Sequence, residues 1–393
     1  MRVVIAGDYP EHPPTVVGGI QAVIYNTLIR LSEFPDLDIH LITCEKWRDP
    51  ASQRPRVVEG ERWTVHYLPS SPRLPHTLTM LTADRWAIRR QIRALAPAVI
   101  HAHGQAAAYP FAAFDAGLPA LVTVHGINAL EAQVDPRGGA LKAVLRTRIW
   151  GLAEHRCLQR ASDIVVISPF VREVIGPHTT ARLHVVENPV HDDFFAVNPA
   201  PVPGKVLLVG SIQKRKGILE AIQAMHVVRR SMPQAELYLA GAFTPAYREY
   251  GDLVRRTVAE AGAGSYVHFL GHAGHNTLVE AYRTSQVFVL PSYLEASPVV
   301  LAEAMTAGLP SVVSDIGSTT HLVEEGITGY RVPAGDVGRL AGALLHLLQD
   351  PVLCSELGQR ARRVAEDRFT ARLAAQKTRD LYLALASSSP RVR

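Results

Sequence analysis

The stretch VFVLPSYLEASPVVLAEAMTAG, residues Val287–Gly308, joins a short apolar run, a loop and an almost wholly apolar helix. The apolar run that ends at Pro291 is typical of a buried strand and its exit. Ser297 suits a helix N-cap, Pro298 suits the first helical position, and Gly308 suits the residue after a helix. A buried strand followed closely by a helix is the repeating unit of parallel α/β sheets.

The same alternation of apolar runs and helical segments extends along the whole chain. In the first half, strands are predicted at Arg2–Ala6, Asp38–Thr43, Thr64–Leu68, Ala98–Ala102, Ala120–Val124, Asp163–Ile167 and His184–Val186. In the second half, they are predicted at Lys205–Val209, Glu236–Ala240, Tyr266–Leu270, Val287–Leu290, Ser311–Ser314 and Gly329–Val332. Strands that are apolar throughout imply parallel sheets covered on both faces, so we predict an α/β protein with two doubly wound, Rossmann-like sheets.

A break in this alternation divides the chain. Residues 194–204 read FFAVNPAPVPG, and three prolines with a glycine are typical of a linker. We therefore predict a first domain over residues 1–195, a linker over 196–204 and a second domain over 205–370. The closing segment, 371–393, is predicted to form a helix that packs back on the first domain. Ligands of doubly wound sheets bind at the carboxyl ends of strands, so a cleft between the two domains is the expected site.

The composition is that of a soluble globular protein, since 47% of the 393 residues are hydrophobic and 20% are charged. A net charge of +5 without a basic block is too mild to indicate a nucleic-acid-binding protein. The three cysteines have no metal-ligand spacing, which favours a reducing compartment. With no signal peptide and no apolar run of about 20 residues, we expect a cytoplasmic protein.

Two glutamates of the opening stretch need partners, because an ionised carboxylate in an apolar setting is costly. Glu295 precedes the helix, and Glu303 lies within it, eight residues later. Eight helical residues span about 12 Å, the scale of a nucleotide sugar, and the helix N-terminus between them favours an anion such as a diphosphate. Glu303 could then accept two hydrogen bonds from a ribose diol. An ion pair with an internal arginine or lysine fits the pattern equally well.

Two further motifs follow this pair, AGLPSVVSD at residues 307–315 and VEEGITGYRV at residues 323–332. Together with Glu295-x7-Glu303 behind a strand, they make the chain similar to glycosyltransferase family 4. The resemblance covers most of the chain and is strongest over residues 205–332. It implies a GT-B fold, retaining transfer from a nucleotide sugar and no required metal. It also implies that the second domain holds most of the donor and that the acceptor lies on the side of the first.

The resemblance further implies which residues contact the donor. Glu303 would hold the ribose. Glu295 would lie beside the hexose, with the amides of Ala296 and Ser297. The diphosphate would lie at the start of the helix, near Val299.

Residues 210–217, GSIQKRKG, end the first strand of the second domain. Lys216 matches a lysine that neutralises the diphosphate in this family, but Ser211 stands where an arginine is expected. The loss of one cation should weaken catalysis, because the departing diphosphate accumulates negative charge. Lys214 or Arg215 could replace that cation, and a solvated basic loop is the alternative interpretation.

Glycines at strand ends complete the predicted donor site. Gly18 and Gly19 lead into a helix, where small residues let the backbone approach a phosphate, although a simple turn before a helix is the alternative. This pair is not a GxGxxG fingerprint, which argues against a dinucleotide-dependent dehydrogenase. Gly241 and the pair Gly271–His272 close two strands and are expected to line the base pocket.

Three histidines end strands of the first domain. His125 would face the cleft and donate to the sugar or orient the acceptor hydroxyl, with a structural hydrogen bond to a loop carbonyl as the alternative. For His101 and His103, which end the preceding strand, we favour a structural or acceptor-lining role. The three lack the tighter spacing of zinc ligands, so no metal site is predicted.

Two basic segments, residues 85–93 and 137–160, fall on predicted helices of the first domain. A basic amphipathic helix can lie on an anionic membrane, although such a helix more often has a solvated face. The acceptor would be bound by first-domain loops such as 47–63 and 73–80, which carry no readable pattern.

The leading hypothesis is a retaining hexosyltransferase whose catalytic residues are His125, Glu295 and Lys216. Its donor would be a UDP- or GDP-linked sugar, and its acceptor a hydroxyl on a glycan, glycolipid or small molecule. The departure at Ser211 keeps a non-catalytic, nucleotide-sugar-binding subunit of a partner glycosyltransferase as an alternative, and a nucleotide-sugar epimerase of the same fold is another. A glycosidase would need two carboxylates about 5–10 Å apart aimed at one sugar, which the strand–loop–helix stretch fits poorly.

Overall fold

A computed structural model describes residues 1–10, 18–45, 54–70, 82–134 and 140–388. The chain divides into two compact units. Unit 1 comprises Met1–Ala129, Gly139–Pro189 and Ala371–Arg393, and unit 2 comprises Leu130–Gly138 and Val190–Thr370. The domain limits predicted from the sequence lie at residues 195, 205 and 370. They are a separate division of the chain and remain a prediction.

Strands and helices alternate along the described chain. The strands are β1 (Arg2–Ala6), β2 (Asp38–Glu45), β3 (Arg56–Glu59), β4 (Thr64–Pro69), β5 (Val99–His103), β6 (Ala120–Val124), β7 (Asp163–Val166), β8 (Arg182–Val185), β9 (Lys205–Val209), β10 (Glu236–Ala240), β11 (Val267–Gly271), β12 (Val287–Leu290), β13 (Ser311–Ser314) and β14 (Gly329–Val332). The α-helices are α1 (Gly19–Leu31), α2 (Thr82–Leu95), α3 (Ala108–Ala116), α4 (Asn128–Val134), α5 (Ala140–Arg160), α6 (Pro169–Ile175), α7 (Asp192–Phe195), α8 (Ile218–Val228), α9 (Arg248–Glu260), α10 (His275–Thr284), α11 (Val299–Thr306), α12 (Val337–Gln349), α13 (Pro351–Arg368) and α14 (Ala371–Ser388). Every strand expected from the sequence is present, and the α/β fold class with two sheets is confirmed.

Unit 1 is built on a sheet with the strand order β3-β4-β2-β1-β5-β6-β7-β8. Neighbouring strands are parallel except β3, which pairs antiparallel to β4 at the edge. The sequence pattern missed β3 because Val57 and Val58 are both exposed, so the strand lacks a buried apolar face. The order reverses between β1 and β5, and ligands of such sheets bind where the order reverses.

Unit 2 contains a fully parallel sheet with the order β11-β10-β9-β12-β13-β14. Successive residues of β9 face opposite cores. Leu208 packs in a cluster with residues of α8 and α12, and Leu207 packs in a cluster with residues of α10, α11 and α13. The order reverses between β9 and β12, so their carboxyl ends form the expected ligand crevice of this unit.

Helix α11 begins one residue later than the sequence indicated. Its N-cap is Pro298, which has an extended backbone and no side-chain oxygen to cap with, so the expectation that Ser297 caps the helix is wrong. The end of the helix is as expected, because Gly308 has a φ of +78° and its N–H donates to the carbonyl of Met305 at 3.0 Å.

Helix α14 belongs to unit 1 and packs against α1. Ala375, Tyr382 and Leu385 of α14 lie in the same buried cluster as Ile24 and Leu28 of α1. The last helix of the chain therefore completes a core that the first helix begins.

Two glycines of unit 2 offer a matched test of its helix packing. A Cβ on Gly358 of α13 would lie 2.0 Å from the carbonyl oxygen of Gly308, just beyond α11. Gly342 of α12 is exposed, and a Cβ there would meet no atom within 4 Å in the part of the chain that the structure describes. We expect Gly358→Ala to lower the free energy of unfolding by about 1–3 kcal/mol, because the methyl group must displace backbone.

Gly342→Ala should raise the same free energy by about 0.5–1 kcal/mol, because alanine loses less conformational entropy than glycine when a helix forms. Urea unfolding of both variants measures the difference. Similar effects of the two substitutions would contradict the close approach of α13 to α11.

Candidate functional site

The loops after β9 and β12 meet where the strand order of unit 2 reverses. Residues 214–216 form a 3-10 turn after β9, and Gly217 follows with a φ of +65°. A Cβ on Gly217 would lie 2.0 Å from the carbonyl oxygen of Pro291, at the exit of β12. Glycine is therefore needed both for the left-handed backbone and for the close approach, which brings Lys216 beside Glu295.

A buried ion pair joins these two loops. Lys216 Nζ donates to Glu295 Oε1 at 2.6 Å, and Ser292 Oγ donates to the same oxygen at 2.7 Å. Arg215 Nη1 lies 3.4 Å from Glu295 Oε2 and donates to the carbonyl of Leu294 at 2.7 Å. Burial by itself would raise the pKa of Glu295, but the charges of Lys216 and Arg215 and the hydrogen bonds from Lys216 and Ser292 hold that pKa below its ordinary value. Glu295 is therefore ionised.

The sequence placed Glu295 beside a hexose and Lys216 beside a diphosphate, whereas the two side chains contact each other directly. We call Lys216, Arg215 and Glu295 the charged cluster. Two positive groups and one negative group give it a net charge of +1. A carboxylate oxygen can accept more than one hydrogen bond. Among the described residues, Oε2 of Glu295 has only the long contact with Arg215, so it keeps capacity for a ligand hydroxyl.

Glu303 has a different partner. Its Oε2 accepts a hydrogen bond of 2.9 Å from the hydroxyl of Tyr282, which also lies 2.9 Å from the carbonyl oxygen of Val300. Among the described residues the partner is therefore a tyrosine and not an internal arginine or lysine. Burial raises the pKa of Glu303 to about 7, although the hydrogen bond from Tyr282 acts in the opposite direction. Near neutral pH the carboxyl group of Glu303 thus exchanges readily between its protonated and ionised states.

The backbone before α11 carries the other predicted donor contacts of this loop. Ala296 and Ser297 are half-buried, and so is Val299, the first helical residue. The N-cap residue, Pro298, makes no side-chain hydrogen bond to the helix. The first-turn N–H groups of a helix favour an anion, and a diphosphate at this point stays a prediction.

The remaining predicted donor residues of unit 2 also lie at carboxyl ends of strands. Gly241 follows β10, and a Cβ there would lie 1.8 Å from the carbonyl oxygen of Gly210, so this glycine allows the loops after β9 and β10 to pack together. Ser211 accepts a hydrogen bond of 2.9 Å from Gln213 Nε2. His272 is exposed after β11.

In unit 1, His125 follows β6, and His103 ends the neighbouring strand β5. His103 Nδ1 and His125 Nε2 share a hydrogen bond of 2.9 Å, whose direction depends on the tautomers. Burial lowers the pKa of His125 to about 4. At pH 7 this histidine is therefore a neutral imidazole, which can donate or accept a hydrogen bond without carrying a charge.

His101 lies deeper on β5. Its Nδ1 bonds the hydroxyl of Tyr382 at 2.7 Å, and its Nε2 bonds Thr123 Oγ1 at 2.6 Å. Burial lowers the pKa of His101 to about 3. Both ring nitrogens are thus occupied by unit 1 itself, as in a structural histidine.

Gly18 is the N-cap of α1, and Gly19 is its first residue. The φ of Gly18 is +116°, a backbone conformation that favours glycine. A Cβ on either residue would meet no atom of the described residues within 4 Å. The preceding residues 11–17 lie outside the described ranges.

Sequence reasoning missed two residues of the site, Tyr282 and Ser292. Tyr282 is fully buried on α10, and its place in an apolar helical pattern predicts only a core residue. Ser292 lies two residues after the end of β12 and is also fully buried. A serine between a strand and Glu295 was the one available signal, since a buried carboxylate needs nearby donors.

The basic segments of unit 1 are partly neutralised within the unit. Arg85 of α2 and Arg160 of α5 both form ion pairs with Asp115, and Arg90 lies over the ring of Trp86. No helix in the described part of the chain is long and apolar enough to cross a membrane. Residues 47–53 and 73–80 of the predicted acceptor loops, and residues 137–139 of the second basic segment, lie outside the described ranges.

Two family models match this chain, and their matched ranges meet near the start of unit 2. A family model described as Glycosyltransferase Family 4 matches residues 17–194, and one described as Glycosyl transferases group 1 matches residues 191–364. A glycogen synthase of Mycobacterium tuberculosis is 27% identical over 397 residues, which cover 95% of this chain and 93% of that protein.

Two solved structures resemble the fold over nearly the whole chain. Sucrose-phosphate synthase from Thermosynechococcus elongatus has a TM-score of 0.80 at 22% identity, over 99% of this chain and 100% of that one. Anabaena HepE in complex with UDP-glucose has a TM-score of 0.73 at 18% identity, over 98% of this chain and 100% of that one. At such identities these likenesses establish the fold.

The raised pKa of Glu303 makes its effect on stability depend on pH. The folded state holds a proton on this carboxyl up to about pH 7, whereas the ordinary pKa of a glutamate is 4.5. The protonated carboxyl group therefore makes its full contribution to stability below pH 4.5. This contribution is lost as the pH rises through 7. Glutamine does not titrate. We expect Glu303→Gln to raise Tm by at least about 3 °C at pH 8 and by less than about 1 °C at pH 5.

Thermal unfolding at the two pH values measures this effect. Glu260→Gln, an exposed position at the end of α9, serves as the matched control and should show no such difference between the two pH values. A gain in Tm for Glu303→Gln that is equal at pH 5 and pH 8 would contradict the raised pKa.

Proposed function

Because the chain belongs to glycosyltransferase family 4, the group 1 glycosyltransferases of the GT-B fold, we propose that it transfers a hexosyl unit from a nucleoside diphosphate sugar to an acceptor hydroxyl, with retention of configuration. The observation that carries the proposal is the charged cluster, which lies where the strand order of unit 2 reverses. UDP is the favoured nucleotide and GDP the second, since Anabaena HepE was solved with UDP-glucose.

The task of the charged cluster is to stabilise a departing diphosphate. As the bond from the anomeric carbon to the phosphate oxygen breaks, negative charge grows on the diphosphate, where cations and helix N–H groups stabilise it. Lys216 and Arg215 supply the cations, and the start of α11 supplies the amides. In a front-face attack the acceptor oxygen bonds to the anomeric carbon, and the leaving phosphate oxygen takes its proton. No divalent metal enters this scheme, because the two side chains provide the positive charge.

Glu303 and Glu295 divide the recognition of the donor between them. A ribose diol donates two hydrogen bonds to Glu303, which Tyr282 holds in place. A hexose hydroxyl donates to Oε2 of Glu295, whose other oxygen is committed to Lys216 and Ser292. Gly241 and His272 flank the base, and Gly18, Gly19 and His125 keep the roles predicted for them from the sequence.

Arg215 takes the place of the cation that the family pattern puts at Ser211. Its guanidinium contacts Glu295 and the carbonyl of Leu294, so it is fixed at the crevice. Lys214, the other candidate, is exposed. Ser211 itself carries no charge and bonds to Gln213.

Nucleotide binding tests the donor site. A ligand at a hundred times its Kd stabilises the native state by about 2.7 kcal/mol, so the correct nucleoside diphosphate among UDP, GDP and ADP should raise Tm by several degrees, whereas CMP and NAD should not. Glu303→Ala should abolish the ligand-induced shift because it removes the ribose acceptor, and Glu260→Ala should retain it. A shift of wild-type size in Glu303→Ala would overturn the assignment of the ribose site.

Arg215→Ala should lower kcat at least about tenfold, because removal of one preorganised group that stabilises a growing negative charge typically costs more than this. Lys214→Ala, the exposed neighbour, should lower it far less. Initial rates of transfer with saturating donor measure both. If Lys214→Ala is the more damaging substitution, then Arg215 is not the replacement cation.

The departure at Ser211 also favours a second candidate, a nucleotide-sugar-binding subunit that supports a partner glycosyltransferase. Nucleotide binding without transfer to any acceptor, together with turnover gained by Ser211→Arg, would establish it. A nucleotide-sugar epimerase would instead convert the donor without any acceptor. The anomeric configuration of a transfer product, read by NMR, decides between retention and inversion.

A further inference from the structure

Two histidines and an aspartate form a cluster on unit 2 that the transfer reaction does not use. His191 immediately precedes α7, Asp193 lies within α7, and His275 is the first residue of α10. One nitrogen of each histidine and one carboxylate oxygen of Asp193 all lie within 4.8 Å of one another.

The distances from each histidine to the aspartate of this cluster are close to those around a single metal ion. His275 Nε2 lies 2.8 Å from Asp193 Oδ2, and His191 Nδ1 lies 3.5 Å from the same oxygen. Ligand atoms bound 2.0–2.1 Å from a tetrahedral zinc ion are about 3.3 Å apart. The three side chains therefore need only small adjustments to share one ion.

A buried aromatic residue holds the ligands in position. The rings of His191 and His275 contact each other with a centroid distance of 4.6 Å. The ring of Phe194, in α7, contacts the rings of His275 and Tyr282, both in α10, with centroid distances of 5.4 and 5.5 Å. Phe194 is buried in the core of unit 2. Because both elements are anchored by this core, the cluster is preorganised and does not depend on a free loop.

We propose that His191, Asp193 and His275 bind a divalent transition-metal ion, zinc above all, with water completing the coordination. Two imidazoles and one carboxylate suit zinc, whereas magnesium prefers a set of oxygen ligands. The side chains of His191, Asp193 and His275 are 28%, 58% and 40% exposed, which leaves an entry path for the ion. His191 Nδ1 accepts the N–H of Asp193 at 3.3 Å, a long hydrogen bond that the ion would replace. The ion ties α7 to α10 and takes no part in sugar transfer.

Zinc titration of the EDTA-treated protein tests the site. Calorimetry should give one strong site per chain, and Tm should rise with one equivalent of ZnCl2 but not with MgCl2. His275→Gln and Asp193→Asn should each weaken zinc binding at least about tenfold, because each removes a direct ligand. Cobalt(II) at the same site should give visible absorption bands that both variants lose.

The chain has 17 histidines, so zinc bound elsewhere on the surface must be separated from this site. His178→Gln removes an exposed histidine of unit 1 and should bind zinc like the wild type. The proposal is overturned if the wild type does not respond to zinc, or if His275→Gln and Asp193→Asn respond as the wild type does. Both substituted side chains are partly exposed, and the Tm of each metal-free variant shows whether it is folded.

Discussion

The buried ion pair between Lys216 and Glu295 is the interaction on which the crevice of unit 2 depends. Each charge removed from water carries a penalty of several kcal/mol, and mutual attraction offsets it only when the geometry is well held. Ser292, Arg215 and the close packing of Gly217 on Pro291 hold it. The shape of the crevice and its charge are therefore a single property, since neither loop can move without exposing or separating the pair.

Glu303 contrasts with Glu295. Among the described residues, Glu295 accepts from three donors, whereas Glu303 has one neutral partner, Tyr282. Its carboxyl group opposes folding when it ionises, because burial favours the protonated form. Residues that weaken their own fold in this way are common at ligand sites, where the ligand provides the missing contacts. A ribose diol would provide two hydrogen bonds to Glu303, so the same residue that destabilises the empty protein would favour the loaded one.

The sequence predicted the strands and both sheets because buried parallel strands are apolar throughout, a pattern that survives in any single sequence. It missed β3, whose valines face solvent. It also predicted Ser297 as the N-cap of α11, because residue preferences for the N-cap position take no account of the backbone conformation that Pro298 adopts. It located Glu295 and Lys216 but did not predict their contact. The two residues are 79 positions apart, and only the reversal of strand order brings β9 beside β12.

Unit 1 is not continuous along the chain, since α14 follows the whole of unit 2. Val190 and Thr370, the ends of the long segment of unit 2, are joined by a parallel bridge. During synthesis, β1–β8 leave the ribosome long before the helix that covers Ile24 and Leu28, whereas the sequence of unit 2 is complete at Thr370. The unit whose synthesis begins first is thus completed last. A chain released before the last few turns of α14 are made would lack part of the core of unit 1, while the sequence of unit 2 would be complete.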